Sequence, residues 1–598
     1  MIIQTRSRQD ESVATDITAD LTRVLFEGRF DQVHAPWRDL FSNPIFHHRE
    51  LPPEERMALS YERLRHVNKS VIAGDGPETL PRDATRLTAL HEWVGPVDPG
   101  LSTILSIHYN LVLGSLLDAK GAHDLRPFLD MDRIGVYLCT ELAHGNSAAL
   151  METTATYDPV SREFILHTPR PEAAKFMPNT SPVGGPKTAL VAARLITGSQ
   201  DQGVHLFLVP LHDETGQCLP GITIERLPQT TSAPVDHSMT TFAGVRLPHE
   251  AMLQADHGRL TPDGVYTSTV GSARKRFLAS VSRVTVGKLC MQAYHLGTTR
   301  HALTVAVRYA HSRHTSSGTR RGTVPLWQHR SHHAPLIDAL ATSYAATFLH
   351  RTAVRKWEQA VTEADRDDAE RLAAITKGWI TWRGRQVMTE CRERCGAQGL
   401  FLANGIAGQL AAGEGAITAE GDNKVIWVKA GMEMLLGNYT PKPLRPGPSD
   451  LDSPEALQDL LADTERIWHE RARVRSRSPR PGGVLDRTVL PVLQLVDAHA
   501  HYLAADGLLT AARQTTRRQT GRLLYALHRL FALRHIADHS GDLLAAGRLE
   551  SGQVLALPDT IEDVIDELAP HGLVLANGQA VSETLLLSHP IMAAGTEQ

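Results

Sequence analysis

The stretch Cys139–Pro159 reads CTELAHGNSAALMETTATYDP, and the interpretation of the rest of the chain depends on it. A polar loop around Gly145 and Asn146 occupies its middle, and β-forming residues fill its second half. Asp158-Pro159 closes the stretch with a typical turn dipeptide. The pattern predicts a β-hairpin that lies beside a ligand.

Composition places the chain among ordinary globular proteins. Its 598 residues exceed what one core can organise, and we expect three to four domains. A formal charge of -4, from 62 basic and 66 acidic residues, gives no reason to expect nucleic acid or an anionic membrane as partner. The five cysteines are scattered, which favours reduced thiols in the cytoplasm. Cys391 and Cys395 are interpreted as one face of a helix, because structural zinc sites need a second pair of ligands.

The sequence gives no sign of a membrane or a secretory route. We find no run of about 18 apolar residues and no apolar signal core near the N-terminus. These features predict a soluble, intracellular protein.

Periodicity changes twice along the chain. Apolar residues recur at helical spacing before residue 135, alternate with period two from 136 to about 255, and return to helical spacing from about 274 to 436. Proline-rich breaks at Lys442–Pro448 and Arg475–Gly483 then divide a further helical region. The predicted fold class is α+β with four domains: a helical N-terminal domain (1–135), an antiparallel β-barrel (136–270), a helical bundle (271–440) and an additional C-terminal helical domain (449–598).

The motif TELAHG, followed at the same spacing by ETTATYDP, resembles the flavin-proximal motif of peroxisomal-type acyl-CoA oxidases, TELGHGT followed by ETTATYDP. The order of helical, β and helical domains is similar to the domain order of that family. A fourth domain is more typical of acyl-CoA oxidases than of the related acyl-CoA dehydrogenases. The resemblance implies an FAD-dependent enzyme that desaturates an acyl thioester and passes the electrons to O₂, giving hydrogen peroxide. Because the chain ends Gly595–Gln598 without an SKL-type address, we expect a bacterial-type cytoplasmic member.

A candidate base follows from the same resemblance. Desaturation next to a thioester needs a base for the α-proton, and a partly desolvated carboxylate suits this task. Where the family has a Phe-Glu-Gly-Glu-Asn motif with the catalytic Glu, this chain reads Ala419-Glu420-Gly421-Asp422-Asn423. The resemblance implies that Glu420 is catalytic. Glu414, between two glycines, belongs to no motif and is assigned to a surface turn.

The chain has no GxGxxG fingerprint and is therefore not interpreted as a Rossmann flavoprotein. The resemblance implies that a homodimer or larger assembly binds FAD and that Arg313 meets the pyrophosphate of the FAD bound to the partner subunit; otherwise Arg313 is a solvated basic helix end. The other implied cofactor-binding residues are Thr140, Asn179, Gly396, Gly399 and Asn423.

Departures from the family pattern leave alternatives open. The family has Trp-Trp-Pro-Gly-Gly beside the flavin, whereas this chain has Phe176–Thr180, and Ala419 replaces the aromatic residue before the catalytic Glu. We therefore expect a reshaped acyl pocket. One alternative is a dehydrogenase that uses an electron-transfer flavoprotein. A second is an enzyme for carrier-protein-bound thioesters in specialised biosynthesis, and a third is a scaffold with a decayed flavin site.

Histidine-rich patches occur at His47-His48 and at His329, His332 and His333. Neither forms an HExxH or two-His-one-carboxylate pattern. We interpret them as interface or surface histidines and predict no metal site.

Overall fold

The computed structural model describes residues 8–121, 123–318, 322–437, 439–443, 447, 449–479 and 481–593. It divides the chain into two compact units. Unit 1 comprises Met1–Arg49, Thr88–Val97 and Met291–Gln598, and unit 2 comprises Glu50–Leu87 and Asp98–Cys290.

Helices form most of the ordered structure. The described helices are α1 (Arg8–Leu25), α2 (Ala35–Phe41), α3 (Pro53–Ala73), α4 (Ala84–Val94), α5 (Pro99–Leu105), α6 (Gly114–Asp118), α7 (Arg126–Leu129), α8 (Ala273–Ser280), α9 (Val284–Ser312), α10 (Arg330–Gln359), α11 (Glu363–Arg394), α12 (Ile406–Thr418), α13 (Asn423–Leu436), α14 (Pro454–Ser476), α15 (Val484–Gln514), α16 (Arg518–Asp538), α17 (Ser540–Ala545), α18 (Ser551–Leu568), α19 (Gly572–Asn577), α20 (Glu583–Leu587) and α21 (Pro590–Ala593). Two π-helical segments, Phe30–His34 and Ser106–Leu113, accompany them.

Ten strands lie between α7 and α8 in the chain, and two short strands lie between α9 and α10. They are β1 (Ile134–Leu138), β2 (Thr154–Asp158), β3 (Glu163–His167), β4 (Lys175–Phe176), β5 (Lys187–Thr197), β6 (Gln200–Pro210), β7 (Ile222–Arg226), β8 (Ser238–Pro248), β9 (Arg259–Leu260), β10 (Tyr266–Thr267), β11 (His314–Ser316) and β12 (Thr323–Pro325). The α+β class is thereby confirmed. The four-domain division stays a prediction.

The main sheet of unit 2 corrects the predicted antiparallel barrel. Its strands follow the order β1-β5-β2-β3-β8-β4, with β6 on β5 and β7 on β8, so the described pairings leave the sheet open. Both β1 and β2 run parallel to β5, with Ile134 opposite Lys187 and Thr154 opposite Arg194. Within the stretch Cys139–Pro159, residues 139–153 therefore connect two strands that pair with the same neighbour, and the remainder contains β2. The hairpin is formed instead by β2 and β3.

The core of unit 2 is apolar and lies under this sheet. Alternate residues of β2 and β3 point inward, including Ala155, Tyr157, Phe164 and Leu166, and all four are buried. The period of two in the sequence therefore does report which face of each strand is buried.

One helical segment of unit 2 meets the length and apolarity expected of a membrane span, contrary to the expectation from the sequence. It is Pro99–Asp118, which joins α5, the π-helical turns and α6. Because 83% of the segment is buried inside the protein, it has the character of a core helix.

Unit 1 is built from long helices. Helix α11 packs against α10, α12 and α13, and α15 packs against α10, α13, α14 and α16. The predicted additional helices thus share one packed unit with the helices before Pro441. Of the predicted linker Lys442–Pro448, residues 444–446 and 448 lie outside the described residues, as do residues 1–7 and 594–598 at the chain ends.

Candidate active site

The Thr140 loop, residues 139–153 of unit 2, connects β1 to β2. Thr140 itself is half-buried, and its carbonyl accepts a hydrogen bond from the Phe176 N–H at 3.0 Å. Leu142 and Ala143 continue this pairing toward residues 172–174. Thr140 therefore sits on a segment that is fixed by backbone hydrogen bonds.

A buried ion pair closes the base of this loop. The Glu141 carboxylate accepts the N–H groups of Glu152 at 2.7 Å and Thr153 at 2.9 Å, which draws the two ends of the loop together. Lys175 Nζ lies 3.1 Å from Glu141 Oε1 and also donates to the Cys139 carbonyl at 3.3 Å. Burial alone would raise the pKa of Glu141, but Lys175 and these donors lower it overall. The glutamate of the motif is thus a structural anchor for the loop.

Asn179 lies in a second buried network of unit 2. Its amide donates to Tyr61 Oη at 3.0 Å, and Lys187 Nζ donates to the Asn179 carbonyl at 2.7 Å. Lys187 Nζ also contacts Asp236 Oδ2 at 2.6 Å, and burial lowers the pKa of Lys187 to about 8. Asn179 as a whole residue is only 1% exposed. Its burial gives no support to a cofactor contact, and the cofactor assignment stays a prediction.

The other predicted residues belong to unit 1, and Glu420 has the most unusual geometry among them. It lies in the turn between α12 and α13, is half-buried, and has a φ of 58°. A left-handed backbone costs a residue with a side chain roughly 1 to 2 kcal/mol, so it persists only where surrounding contacts impose it. The following Gly421, with φ 98°, completes the reversal of the chain. Such a strained carboxylate is typical of functional sites.

Helix α11 holds this turn. Lys377 Nζ donates to the carbonyls of Ile417 at 2.8 Å and Gly421 at 2.9 Å, on either side of Glu420. The Asn423 amide donates to Thr381 Oγ1 at 2.9 Å. Asn423 is buried, and its Oδ1 has no hydrogen-bond partner in the described part of the chain. The amide group of Asn423 therefore faces α11. This contact by itself accounts for an asparagine at position 423, and the cofactor-binding role of Asn423 stays a prediction.

The two glycines after α11 differ in the space that surrounds them. A Cβ on the buried Gly399 would lie 2.3 Å from the Arg392 carbonyl oxygen, so close packing within unit 1 demands glycine there. Gly396 is exposed, has a φ of 56°, and would meet no atom within 4 Å if it carried a Cβ. Of the two, Gly396 has the open space that a cofactor would need.

Arg313 follows the last residue of α9 and is exposed. Its backbone N–H donates to the Tyr309 carbonyl at 2.8 Å, and its own carbonyl accepts from Leu326 at 2.8 Å. Within the described residues the guanidinium donates no hydrogen bond. The backbone is therefore fixed while the charged group stays available for a phosphate.

Glu414 corrects a prediction. It is exposed on α12 rather than in a turn, and the Arg385 Nη1 lies 3.2 Å from its Oε2. The neighbouring Gly413 is used for packing, because a Cβ there would lie 3.0 Å from the His295 ring, and its carbonyl is 3.0 Å from His295 Nε2. Glu414 remains a suitable control for Glu420.

Among the residues that the structure describes, one group of potential metal ligands appears that no sequence pattern marked. Cys391 and Cys395 are buried at the end of α11, and burial raises the pKa of Cys395 to about 12. Asp497, His501 and His535 bring ligand atoms within 4.8 Å of one another. However, Arg383 contacts Asp497 at 3.2 Å and Trp379 donates to His501 Nδ1 at 3.1 Å, so two of these three groups already have partners.

The histidine patch around His333 differs from the predicted surface location. His333 is buried and its Nδ1 lies 2.8 Å from the Trp327 carbonyl oxygen. The patch therefore includes a packed residue of α10.

Comparisons with known proteins match two stretches of the chain from residue 283 onward. A family model described as the C-alpha1 domain of acyl-CoA oxidase matches residues 283–435, and a model described as acyl-CoA oxidase matches residues 465–589. The resemblance to the acyl-CoA oxidase family is therefore confirmed over these two stretches.

Curated proteins similar to this chain include acyl-coenzyme A oxidase 2, peroxisomal, of Arabidopsis thaliana, which is 28% identical over 73% of this chain and 65% of that protein. The acyl-coenzyme A oxidase-like protein of Mus musculus is 30% identical over 61% of this chain and 59% of that protein. Both alignments span less than two thirds of the relative. These are plant and animal proteins, so the expected bacterial type is not supported.

Solved acyl-CoA oxidases share the fold of this chain. The enzyme from tomato matches with a TM-score of 0.83 at 21% identity, covering 97% of this chain and 94% of that chain. Acyl-CoA oxidase-2 of Caenorhabditis elegans, bound with FAD, ascaroside-CoA and ATP, matches with a TM-score of 0.82 at 19% identity, covering 98% and 92%.

The seven predicted site residues are thus divided between the units. Thr140 and Asn179 lie in unit 2, and Arg313, Gly396, Gly399, Glu420 and Asn423 lie in unit 1. Sequence reasoning missed Lys377 and Thr381, which no motif marks. The one signal for them was their spacing of four on a helix, which places two polar groups on one face of α11.

Proposed function

We propose that this protein is an FAD-dependent acyl-CoA oxidase that desaturates an acyl thioester between its α and β carbons. The observation that carries the proposal is the geometry of Glu420, a half-buried carboxylate held in a left-handed turn between α12 and α13. The match to two acyl-CoA oxidase family models supports the choice of reaction.

Glu420 would act as the general base for the α-proton. Partial burial makes a carboxylate a stronger base than it is in water, and a fixed turn keeps it at one position relative to the substrate. Protonated Glu420 would then hold that proton while the product forms. When bound, FAD would accept the β-hydride and return the electrons to O₂ as hydrogen peroxide.

Three of the cofactor-binding residues that the resemblance implies offer groups or space that suit FAD. Arg313 offers an exposed guanidinium, which can form two charge-assisted hydrogen bonds to phosphate oxygens. Gly396 leaves open space for a close backbone approach. Thr140 is half-buried and lies on a segment that is fixed by backbone hydrogen bonds. The related Caenorhabditis elegans structures contain FAD, which supports the same cofactor here.

Removing the Arg313 guanidinium tests the cofactor assignment. Arg313→Ala should weaken FAD binding by about 1.5 to 3 kcal/mol, because a charge-assisted contact to phosphate is lost, while the rate of fully loaded enzyme changes less. A flavin titration of apoenzyme measures this directly. An unchanged FAD affinity would remove Arg313 from the site.

A dimer or larger homo-oligomer forms part of the proposal. Leu400, Phe401 and Leu402 follow Gly399 directly and are 61%, 59% and 57% exposed. Three consecutive exposed apolar side chains are typical of a surface that another protein covers. A monomer in light scattering at micromolar concentration would contradict the dimer.

The closing experiment tests which thioester carrier and which electron acceptor the enzyme uses. Acyl-CoA and carrier-protein thioesters are offered to the enzyme without oxygen, and bleaching of the flavin is followed. Reduced enzyme is then mixed with air. We expect bleaching by acyl-CoA and rapid reoxidation with one hydrogen peroxide per turnover. Bleaching by carrier-protein thioesters alone favours the biosynthetic alternative, which the altered Phe176–Thr180 segment motivates.

Two other outcomes would contradict the proposal. Slow reoxidation in air combined with rapid transfer to an electron-transfer flavoprotein would identify a dehydrogenase. A protein that neither binds FAD nor responds to any thioester would be a scaffold.

We also propose a cytoplasmic location. The five cysteines form no disulfide within the described part of the chain, which supports a reducing compartment. The Arabidopsis relative is named as peroxisomal, so fractionation of the native cells is the appropriate test. Recovery in an organelle fraction would contradict a cytoplasmic enzyme.

A further inference from the structure

We propose that Lys377 is a positioning residue for the catalytic base: its buried ammonium holds the turn that presents Glu420. The inference rests on the proposed function, because it assumes that Glu420 removes the α-proton. No motif of the family resemblance includes Lys377, which lies in the middle of α11.

The hydrogen bonds of Lys377 are placed on both sides of Glu420. Its Nζ donates to the carbonyl of Ile417 at 2.8 Å, in the last turn of α12, and to the carbonyl of Gly421 at 2.9 Å. The last carbonyls of a helix have no partner within the helix. One ammonium therefore satisfies an orphan carbonyl of α12 and clamps the residue that follows Glu420.

Electrostatics support this placement. The C-terminal end of a helix carries partial negative charge, and a cation there is stabilising. Lys377 is fully buried, so it is poorly solvated and needs such acceptors. The buried Lys175 and Lys187 of unit 2 donate to the carboxylates of Glu141 and Asp236. Lys377 instead donates to the two main-chain carbonyls that flank a proposed catalytic residue.

The rest of the α11 face makes the clamp rigid. Thr381 Oγ1 donates to the Lys377 carbonyl at 2.8 Å and accepts from the Asn423 amide at 2.9 Å, so the first residue of α13 is tied to the same helical turn. A Cβ on Gly378 would lie 2.0 Å from Trp427 Nε1, and that nitrogen donates to the Ile375 carbonyl at 3.0 Å. Both ends of the Glu420 turn are thus fixed to α11.

The proposed consequence is kinetic. Without the ammonium, the Ile417 and Gly421 carbonyls separate, and Glu420 can leave the left-handed conformation. Displacing a catalytic group by about 1 Å can cost on the order of 100-fold in rate. Substrate binding does not use Lys377, so the loss belongs to kcat and not to KM.

The test is a double-mutant cycle of Lys377→Met and Glu420→Gln, with anaerobic flavin reduction by an acyl-CoA as the readout. We expect Lys377→Met to bind FAD and thioester normally and to reduce its flavin roughly 10- to 100-fold more slowly. In the Glu420→Gln background the same change should have no further effect on rate, because the group that Lys377 positions is already gone. Lys429→Met, on the exposed face of α13, is the control and should match the parent enzyme.

Two results would overturn the inference. The first is a Lys377→Met enzyme that reduces its flavin at the parental rate while Glu420→Gln does not; Glu420 would then keep its role without help from Lys377. The second is a rate loss that multiplies with that of Glu420→Gln, which indicates general damage. A parental rate in Glu420→Gln itself would instead contradict the proposed function.

Gly421→Ala provides an independent route if Lys377→Met fails to fold. A Cβ on Gly421 would lie 2.7 Å from Ile426 Cγ2, and the φ of 98° is unfavourable for alanine, so the carbonyl bound by Lys377 must move. The inference predicts the same reduction in kcat and the same lack of further effect in the Glu420→Gln background. Parental kcat in Gly421→Ala would contradict it.

Discussion

At the scale of single residues, Lys175 and Glu141 show how the loop motif is stabilised. Both side chains are fully buried, so neither charge can be solvated if its partner is removed. Burial lowers the pKa of Lys175, and the adjacent carboxylate opposes that change. Both charges of the pair thus lose their hydration, and their contact fixes the geometry of the loop.

Lys175→Met should therefore lower the free energy of unfolding by about 3 to 5 kcal/mol, the usual cost of leaving one buried charge without its partner. Chemical denaturation measures this change. Arg246→Ala is the control, because its pair with Glu163 is exposed and should contribute less than about 1 kcal/mol. Equal effects of the two substitutions would contradict the structural role assigned to Lys175.

Residues that carry a motif could be predicted from the sequence, and residues that support the motif could not. Glu420 was assigned from five consecutive letters. Lys377 contacts carbonyls 40 and 44 residues further along the chain, so no local pattern connects it with the turn. Glu414 was misplaced because two flanking glycines favour a turn, whereas Gly413 in fact accommodates the His295 ring against α12.

At the scale of elements, the sequence predicted the existence of strands better than their pairing. Alternating burial in β2 and β3 follows the sequence period. The parallel alignment of β1 and β2 on one edge of β5 depends on a long connection through the Thr140 loop. Periodicity specifies the buried face of a strand and not its neighbour, which is why an antiparallel barrel was expected.

The packing of α11 against α13 leads to a prediction at this scale. Gly378→Ala places a Cβ 2.0 Å from Trp427 Nε1, so the two helices must separate or the indole must move. Overpacking of this kind should destabilise the protein by about 1 to 3 kcal/mol. Because Trp427 follows the Glu420 turn, flavin reduction should slow as well.

Thermal unfolding and single-turnover reduction together measure these effects. Gly408→Ala is the matched control on α12, since its Cβ would have its nearest neighbour at 3.6 Å. Alanine there should be neutral or stabilising by up to about 1 kcal/mol. Equal stability of Gly378→Ala and Gly408→Ala would show that the close approach is not required.

At the scale of the whole molecule, buried histidines contribute to the response of stability to pH. Burial lowers the pKa of several of them from 6.5: to about 3 for His91, His205, His301 and His350, and to about 4 for His108, His295 and His528. They occur in both units. The folded protein therefore keeps these rings neutral where the unfolded chain would protonate them.

The sign of the effect follows from proton binding. Below pH 6.5 the unfolded chain binds more protons than the folded protein, so stability falls as the pH falls toward about 4. Each such histidine contributes about 1.4 kcal/mol per pH unit in that range. Denaturation at a series of pH values should show a steep loss of stability in mild acid.

A single substitution checks the assignment. His350→Leu removes one fully buried histidine, so the slope below pH 6.5 should become shallower by about 1.4 kcal/mol per pH unit. His314→Gln, at an exposed position, should leave the slope unchanged. A slope that does not respond to His350→Leu would contradict the account of acid sensitivity.

The central claim is that Glu420 removes the α-proton, and the rate of anaerobic flavin reduction by acyl-CoA tests it most directly. Glu420→Gln is nearly isosteric but cannot accept the proton, so we expect a yellow protein that binds thioester and reduces its flavin about 10² to 10⁴ times more slowly than the parent enzyme. Glu414→Gln should reduce its flavin at the parental rate. Reduction of Glu420→Gln at the parental rate, with a loss in Glu414→Gln instead, would contradict the claim.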